Sequence, residues 1–351
     1  MTASIMEREG IMIPDVKADQ QCIQYWINDL EQDEVIGAVL KSRPFQRLHQ
    51  VSFLGALDYV ATTNKEKKGP RSRAVHSLHV AALANFVATH RGYDNDLKRH
   101  LVIAGLLHDV GHIPLSHSVE PYVQEKFGFG HHELSEAIMR GEVDFSKVLG
   151  ETLKQSADPG FLLELVNGRA TPGVGGDLFS SPINIDTIDG IIRTYGYLSR
   201  RSHDLDPFSV ATASFLNDDE SRYSVLDQFW HTKHFVYENL INNRLGLLAD
   251  NYSRLYFSEE KVPMDESALL EQESQWRRKY ATLFTGLNKI DVDSRPPDSI
   301  VDKVIFYKKR VYTVVDSDKS ILGRYRSART KATVRFSDSQ AESTKEQASL
   351  F

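Results

Sequence analysis

The sequence predicts a mainly α-helical protein with a small C-terminal α+β appendage, and three observations carry that expectation. Apolar residues recur at helical spacing through most of the first two hundred and sixty positions, as in Leu78, Ala82, Leu83 and Phe86 and again in Leu240, Leu245, Leu248 and Leu255. With 41% apolar and 26% charged residues in 351, the composition suits a chain that buries a core rather than a disordered or fibrous one. Beyond about residue 258 the character changes, and polar sequence leads into two short β-rich runs.

Taken in order, an N-terminal segment, 1–35, precedes a helical domain over 36–257. The opening MTASIMEREGIMIPD lacks the basic-then-apolar pattern of a secretion signal, and the apolar run Leu101 to Leu107 is far short of a membrane span, so a cytoplasmic chain with no membrane partner is expected. Two segments interrupt the helical pattern. Thr62 to Arg73 (TTNKEKKGPRSR) reads as a basic Gly-Pro loop, and Asn167 to Pro182 (NGRATPGVGGDLFSSP) as a mobile, Gly- and Ser-rich one. The basic loop has no interleaved aromatics on which bases could stack, so nucleic acid is not the favoured partner. In the appendage, 258–336, Val304-Ile-Phe-Tyr and Val311-Tyr-Thr-Val-Val flank Lys308-Lys-Arg310 in the manner of a hairpin. The last stretch, 337–351, has too few apolar residues to offset the entropy of ordering and is expected to be a disordered tail.

Charge and cysteine content narrow the function classes. A formal charge of −6, from 42 Lys+Arg against 48 Asp+Glu, argues against a chain that coats nucleic acid generally, so any anion site must be local. The single cysteine, Cys22, excludes an intramolecular disulfide and a Cys-based zinc site, which fits a reducing compartment.

Histidine is concentrated between His76 and His117. A Leu- and Ile-rich helix ending in His108-Asp109, just before Gly111 and Pro114, puts two ligating groups at a helix terminus, where both can be aimed at one point. Imidazole with carboxylate suits a divalent ion such as Fe, Mn, Zn, Ni or Co and is compatible with Mg. Two ligands are too few, and His76 on the preceding helix and Asp186 are the candidates for the rest. A helix beginning near Asn184 would carry Asp186, Asp189 and Arg193 on one inward face.

Several separated blocks now stand in order: Phe45-Gln-Arg-Leu, Arg73-x-x-His76-Ser-Leu, Ala104-Gly-Leu-Leu-His108-Asp109-x-Gly-His112-x-Pro-x-Ser-His117, His132-Glu133, Asp186-x-x-Asp189-x-x-x-Arg193 and Phe229-Trp-His-Thr-Lys233. Together they resemble the HD-domain phosphohydrolases, and among these the deoxynucleoside triphosphate triphosphohydrolase branch with the bacterial dGTPases and the vertebrate sterile-alpha-motif HD enzyme. The resemblance implies an HD helical core and a divalent metal held by His76, His108, Asp109 and Asp186. It also implies His112 and His117 beside the reacting phosphorus, and His132 as general acid oriented by Glu120, where the family more often has Asp. Arg73 and Lys233 would neutralise phosphate, with Asp189 grouped among the substrate contacts. His79, His100, His203 and His231 are expected to be packed or exposed rather than ligating.

The implied function is hydrolysis of a deoxynucleoside triphosphate to nucleoside and triphosphate, in a homo-oligomer. This sequence departs from the branch where it binds the sugar: Gly190 and Thr194 replace a tyrosine and an aspartate, Thr187 a phosphate-contacting lysine, and Phe53 a polar residue. Those departures keep open a nucleotidase or phosphodiesterase acting on a modified, cyclic or oligomeric nucleotide, and a nucleotide sensor that binds without turnover.

Overall fold

The structure, a computed structural model, describes residues 22–61, 71–198, 205–259, 263–291 and 294–336. The start of the N-terminal segment, most of the basic loop, His203 and the expected tail lie outside the described residues. The predicted mainly helical body is what the described chain forms, with one two-stranded antiparallel sheet near its end.

The Arg73–His90 helix is the axis of the fold. Ala81, Ala82, Leu83, Ala84, Val87 and Ala88 are all fully buried, so apolar residues face every direction, as in a helix surrounded by protein. A short turn with Gly92 at φ 66° reverses the chain. Asp94 then caps the Asn95–Leu107 helix by accepting from the Leu97 N–H at 2.8 Å. The two helices cross at Gly105, where a Cβ would lie 2.9 Å from Ala81 Cα. That close crossing sits one turn before His108 and brings the end of one helix against the beginning of the other, where His76 lies.

The Ile185–Leu198 helix packs across the Arg73–His90 helix, and Arg244–Glu259 supports the turns at Gly55–Tyr59 and Ser116–Ser118. Residues beyond 258 return to the same core: Trp276, Tyr280, Leu283 and Leu287 are fully buried in it.

The hairpin pairs β1 (Val304–Val314) with β2 (Tyr325–Arg335), in a register from Val304↔Arg335 to Val314↔Tyr325. The expected reversal at Lys308-Lys-Arg310 is corrected here: that tripeptide is the middle of β1. It contains none of the Gly, Asn or Asp that a tight reversal needs, whereas Asp316-Ser-Asp-Lys-Ser320 supplies such residues between the strands. Among the described residues, no helix is long and apolar enough to cross a membrane.

Candidate metal centre and its imidazole neighbours

Three helical elements bring three donors together, and Asp109 flanks them. His76 stands in the first turn of the buried axis helix, His108 is the C-cap of the next, and Asp186 lies in the first turn of Ile185–Leu198. His76 Nε2 is 3.3 Å from His108 Nε2 and 3.0 Å from Asp186 Oδ1, while His108 Nε2 is 3.7 Å from that same oxygen. Asp109 joins them, with Oδ2 3.7 Å from His76 Nε2 and Oδ1 3.6 Å from His108 Nε2.

The outer atoms of these imidazoles are already committed. His108 Nδ1 donates to the Gly105 carbonyl at 2.8 Å, and His76 Nδ1 donates to Asp189 Oδ2 at 2.6 Å, so each ring turns Nε2 inward. Asp189 is buried and is fixed in turn by Arg193, at 2.8 and 2.9 Å, and by His79 at 3.1 Å. Its oxygens therefore orient His76 and face protein donors. His100 serves the fold, with Nε2 accepting from the Asp158 N–H at 2.9 Å.

Electrostatics describes the same cluster as a place that wants positive charge. Burial opposes protonation of His108, yet Asp109 and Asp186 overcome it and push its pKa up to about 9. His76 is raised likewise, by Asp186 and Asp189 against its burial. Burial works against the charged Asp109 carboxylate too, but His108, Arg73 and His112 hold its pKa well below the usual range. Three donors separated by 3.0–3.7 Å and flanked by Asp109, with inward nitrogens and ionised carboxylates, fit a divalent cation with bonds of about 2.1 Å.

A second cluster adjoins the first. His112, His117 and His131 bring three imidazole nitrogens within 4.8 Å of one another. The His112 ring stacks on His131 at 4.1 Å with 12° between planes, and His112 Nε2 is 3.2 Å from Asp109 Oδ1. Glu120 organises the group: it accepts from the His131 backbone N–H at 3.0 Å, from His131 Nδ1, and from His117 Nδ1 at 2.9 Å.

The Arg73-x-x-His76 and His108-Asp109 blocks fall inside residues 73–165, which match the family model described as the HD domain. This stretch carries the HD-domain signature. Several of its relatives are named as deoxynucleoside or deoxyguanosine triphosphate triphosphohydrolases or proteins like them. Uncharacterized protein MG461 of Mycoplasma genitalium is 23% identical to this chain over 246 residues, 65% of this chain and 56% of that one. The deoxynucleoside triphosphate triphosphohydrolase SAMHD1 homolog of Dictyostelium discoideum is 24% identical over 251 residues, 64% of this chain and 47% of that one. The chain thus spans about half the length of these curated relatives. The crystal structure of a hypothetical protein from Aquifex aeolicus shares the fold, with a TM-score of 0.59 over 90% of this chain and 95% of that one at 19% identity.

The structure departs from the sequence expectation at one pair. Glu120 was expected to orient His132, but it engages His131, and His132 is exposed. Adjacent helical positions point about 100° apart, and the His132 ring packs 4.0 Å from the His131 ring rather than on Glu120. Gly111 sets this contact: a Cβ there would lie 2.2 Å from the His131 carbonyl oxygen, so glycine lets the helix start abut the His108-Asp109 turn.

Arg73 is spent on protein acceptors. It donates to Asp109 Oδ2 at 2.5 Å, Ser116 Oγ at 3.1 Å and the Phe53 carbonyl at 3.1 Å. Lys233 is buried over the rings of Trp230 and Tyr312, at 4.5 and 4.9 Å, with Nζ 3.4 Å from the Pro182 carbonyl; burial lowers its pKa to about 8. Phe53 packs 4.9 Å from the His76 ring, and its Cζ lies 3.9 Å from where a Cβ on Gly190 would begin. The Thr194 hydroxyl donates back to the Gly190 carbonyl at 2.6 Å. Phe53, Gly190 and Thr194, where the sequence departs from the family it resembles, thus present an aromatic ring and a self-satisfied hydroxyl.

Sequence reasoning missed Glu273. Leu115 and Ser116 both sit at positive φ, 60° and 47°, immediately before His117. Left-handed backbone costs about 1–2 kcal/mol per ordinary residue. Glu273 meets that cost from beyond the helical domain: its buried carboxylate accepts from the Leu115 N–H at 2.9 Å, from the Ser52 N–H and hydroxyl at 2.9 and 2.7 Å, and from the Tyr59 hydroxyl. Hydrogen bonds to a charged acceptor contribute about 1.5–3 kcal/mol each, enough to offset the turn. A lone glutamate 158 residues away from its partner carries no local signal.

Proposed function

We propose that this chain is a metal-dependent nucleotide phosphohydrolase. The observation that carries the proposal is the convergence of His76, His108, Asp109 and Asp186, with an imidazole trio oriented by Glu120 beside them. A divalent ion bound by those four residues would supply Lewis acidity toward a phosphoryl oxygen and an acidified water.

The chain's own residues do the rest. Arg73 holds the Asp109 carboxylate in place, and Asp189 holds the His76 tautomer. Burial and the Arg73 charge keep His112 neutral, its pKa well below the ordinary value, so it offers a neutral imidazole to substrate oxygens. In our reading His131, with Nδ1 fixed by Glu120 and Nε2 free to face the cluster, takes the general-acid role that the motif alone assigned to His132.

The leading substrate is a deoxynucleoside triphosphate, cleaved to nucleoside and triphosphate, as the name of the Dictyostelium relative suggests. A nucleotidase or phosphodiesterase on a modified, cyclic or oligomeric nucleotide is the second reading, favoured by Phe53, Gly190 and Thr194. Metal analysis of the purified chain, with a chromatographic product screen over dNTPs, NTPs and cyclic nucleotides, tests both, with Asp109→Ala as control. Triphosphate release supports the first reading and inorganic phosphate or an opened diester the second. Bound nucleotide without turnover would make the chain a sensor, and absence of metal would overturn the centre.

A further inference from the structure

The hairpin has a charge pattern that nothing in the metal centre explains. Its two strands carry three and four Lys or Arg residues and no Asp or Glu, in a chain whose net charge is −6. The register puts like charges directly opposite on one face, Lys308 against Lys331 and Arg310 against Arg329, with Arg335 two rungs beyond Lys331. Like-charged cross-strand pairs destabilise a sheet, so fold stability alone does not account for them. Among the described residues, Lys308, Lys309, Arg329, Lys331 and Arg335 make no ion pair, and the carboxylate nearest a hairpin cation is Asp318, 3.9 Å from Arg326.

The same face carries an exposed ring. Phe306, between the Lys308 and Val304 rungs, is 70% exposed, while Tyr312 and Tyr325 at the other end are buried against Trp230. The hairpin is thus anchored by Tyr312 and Tyr325 at one end and by Ile305 and Phe336 at the other, and presents cations and one aromatic between them. Successive same-face rungs are about 6.8 Å apart, comparable with consecutive phosphates of an extended strand.

We propose that this face of the hairpin binds single-stranded nucleic acid, with Arg329, Lys308, Lys331 and Arg335 tracking the phosphates and Phe306 stacking on a base. A row of backbone-tracking cations with an aromatic platform is how proteins hold single strands without reading sequence. A lipid surface fits less well, because the exposed apolar area here is one ring and the neighbouring Val304 rather than a continuous apolar belt. The proposal is independent of what the metal centre hydrolyses.

Fluorescence anisotropy of a labelled oligothymidylate of about 20 nucleotides, titrated with the full chain across a salt series, tests it. The expected log–log salt slope is near −3, about −0.7 for each of four phosphate contacts. Lys308→Glu should weaken binding about tenfold while preserving or raising the melting temperature, because it creates an opposite-charge rung with Lys331. The double reversal Lys308→Glu with Lys331→Glu should weaken it about a hundredfold, and Phe306→Ala at least about fivefold. Absence of binding at low salt, equal binding by the double variant, or binding to phosphatidylserine vesicles without binding to the oligonucleotide would each overturn the proposal.

Discussion

The four-donor cluster and the imidazole trio touch, with His112 Nε2 3.2 Å from Asp109 Oδ1, yet they are held by different means. The donors of the first come from helix ends and first turns, aimed by helices that cross tightly at Gly105. Two of the three imidazoles come from an irregular stretch whose backbone is held by carboxylates distant in sequence. Glu273 fastens Leu115, and Asp250 accepts from Ser118 Oγ at 2.6 Å. Regular structure places the first cluster from within its own elements, whereas the second depends on the rest of the molecule.

The largest expected effect separates the two histidines at the start of the His131–Arg140 helix. If the trio acts in proton transfer, His131→Ala should lower kcat by about 10²–10⁴ with metal content unchanged, and His132→Ala should leave kcat near its starting value. Steady-state kinetics beside metal analysis checks this, and the reverse ranking would return the role to His132.

A smaller effect belongs to the first cluster. Asp189→Asn should weaken metal affinity by about 10–100-fold, because His76 loses its charged orienting partner, while the melting temperature of the metal-free protein falls little. Competition against a chelating dye measures it. Unchanged affinity would mean that the helix alone orients His76.

Glu273→Gln tests the long-range clamp. The amide keeps the size but replaces one acceptor oxygen with a donor, so about 1–3 kcal/mol of stability should be lost, with kcat falling more than metal affinity. Denaturant unfolding with metal titration distinguishes a loosened turn from a damaged centre.

The smallest effect concerns Asp250, whose carboxyl is pushed up to about 6 by burial, with the Ser118 hydrogen bond pulling the other way. Since its folded-state value exceeds the unfolded 3.8, the native protein takes up the proton first as pH falls, so its ionisation costs stability above pH 6 and that cost is relieved between pH 6 and 4. Asp250→Asn should therefore be the more stable by on the order of 1 kcal/mol at pH 7, with the advantage shrinking toward pH 4.5. Melting curves at the two pH values check the sign.

These contrasts explain what the sequence made legible. Helical spacing in Leu78 to Phe86 marked the axis helix, and the three- and four-residue intervals of Asp186, Asp189 and Arg193 marked an inward face, because both follow from the helix period. The phase of the next helix was not legible from His131-His132, since either could face inward until Gly111 fixes the contact. The hairpin reversal was misread because β-rich runs on both sides of Lys308-Lys-Arg310 look like two strands when they are one long strand. Glu273 was invisible because its partners, Ser52, Tyr59 and Leu115, are neighbours only after folding.

Glu273 also separates what identifies this protein from what suffices for it. The span that matches the HD domain ends at residue 165, and the four metal-site residues are in place by Asp186, yet the turn preceding His117 is fastened from position 273. A chain shortened to its diagnostic part, by an engineer or by evolution, would keep its signature and surrender its posture. Lineages that remodel the C-terminal third are accordingly expected to retain an acid at this spot, or to rebuild the turn around glycine.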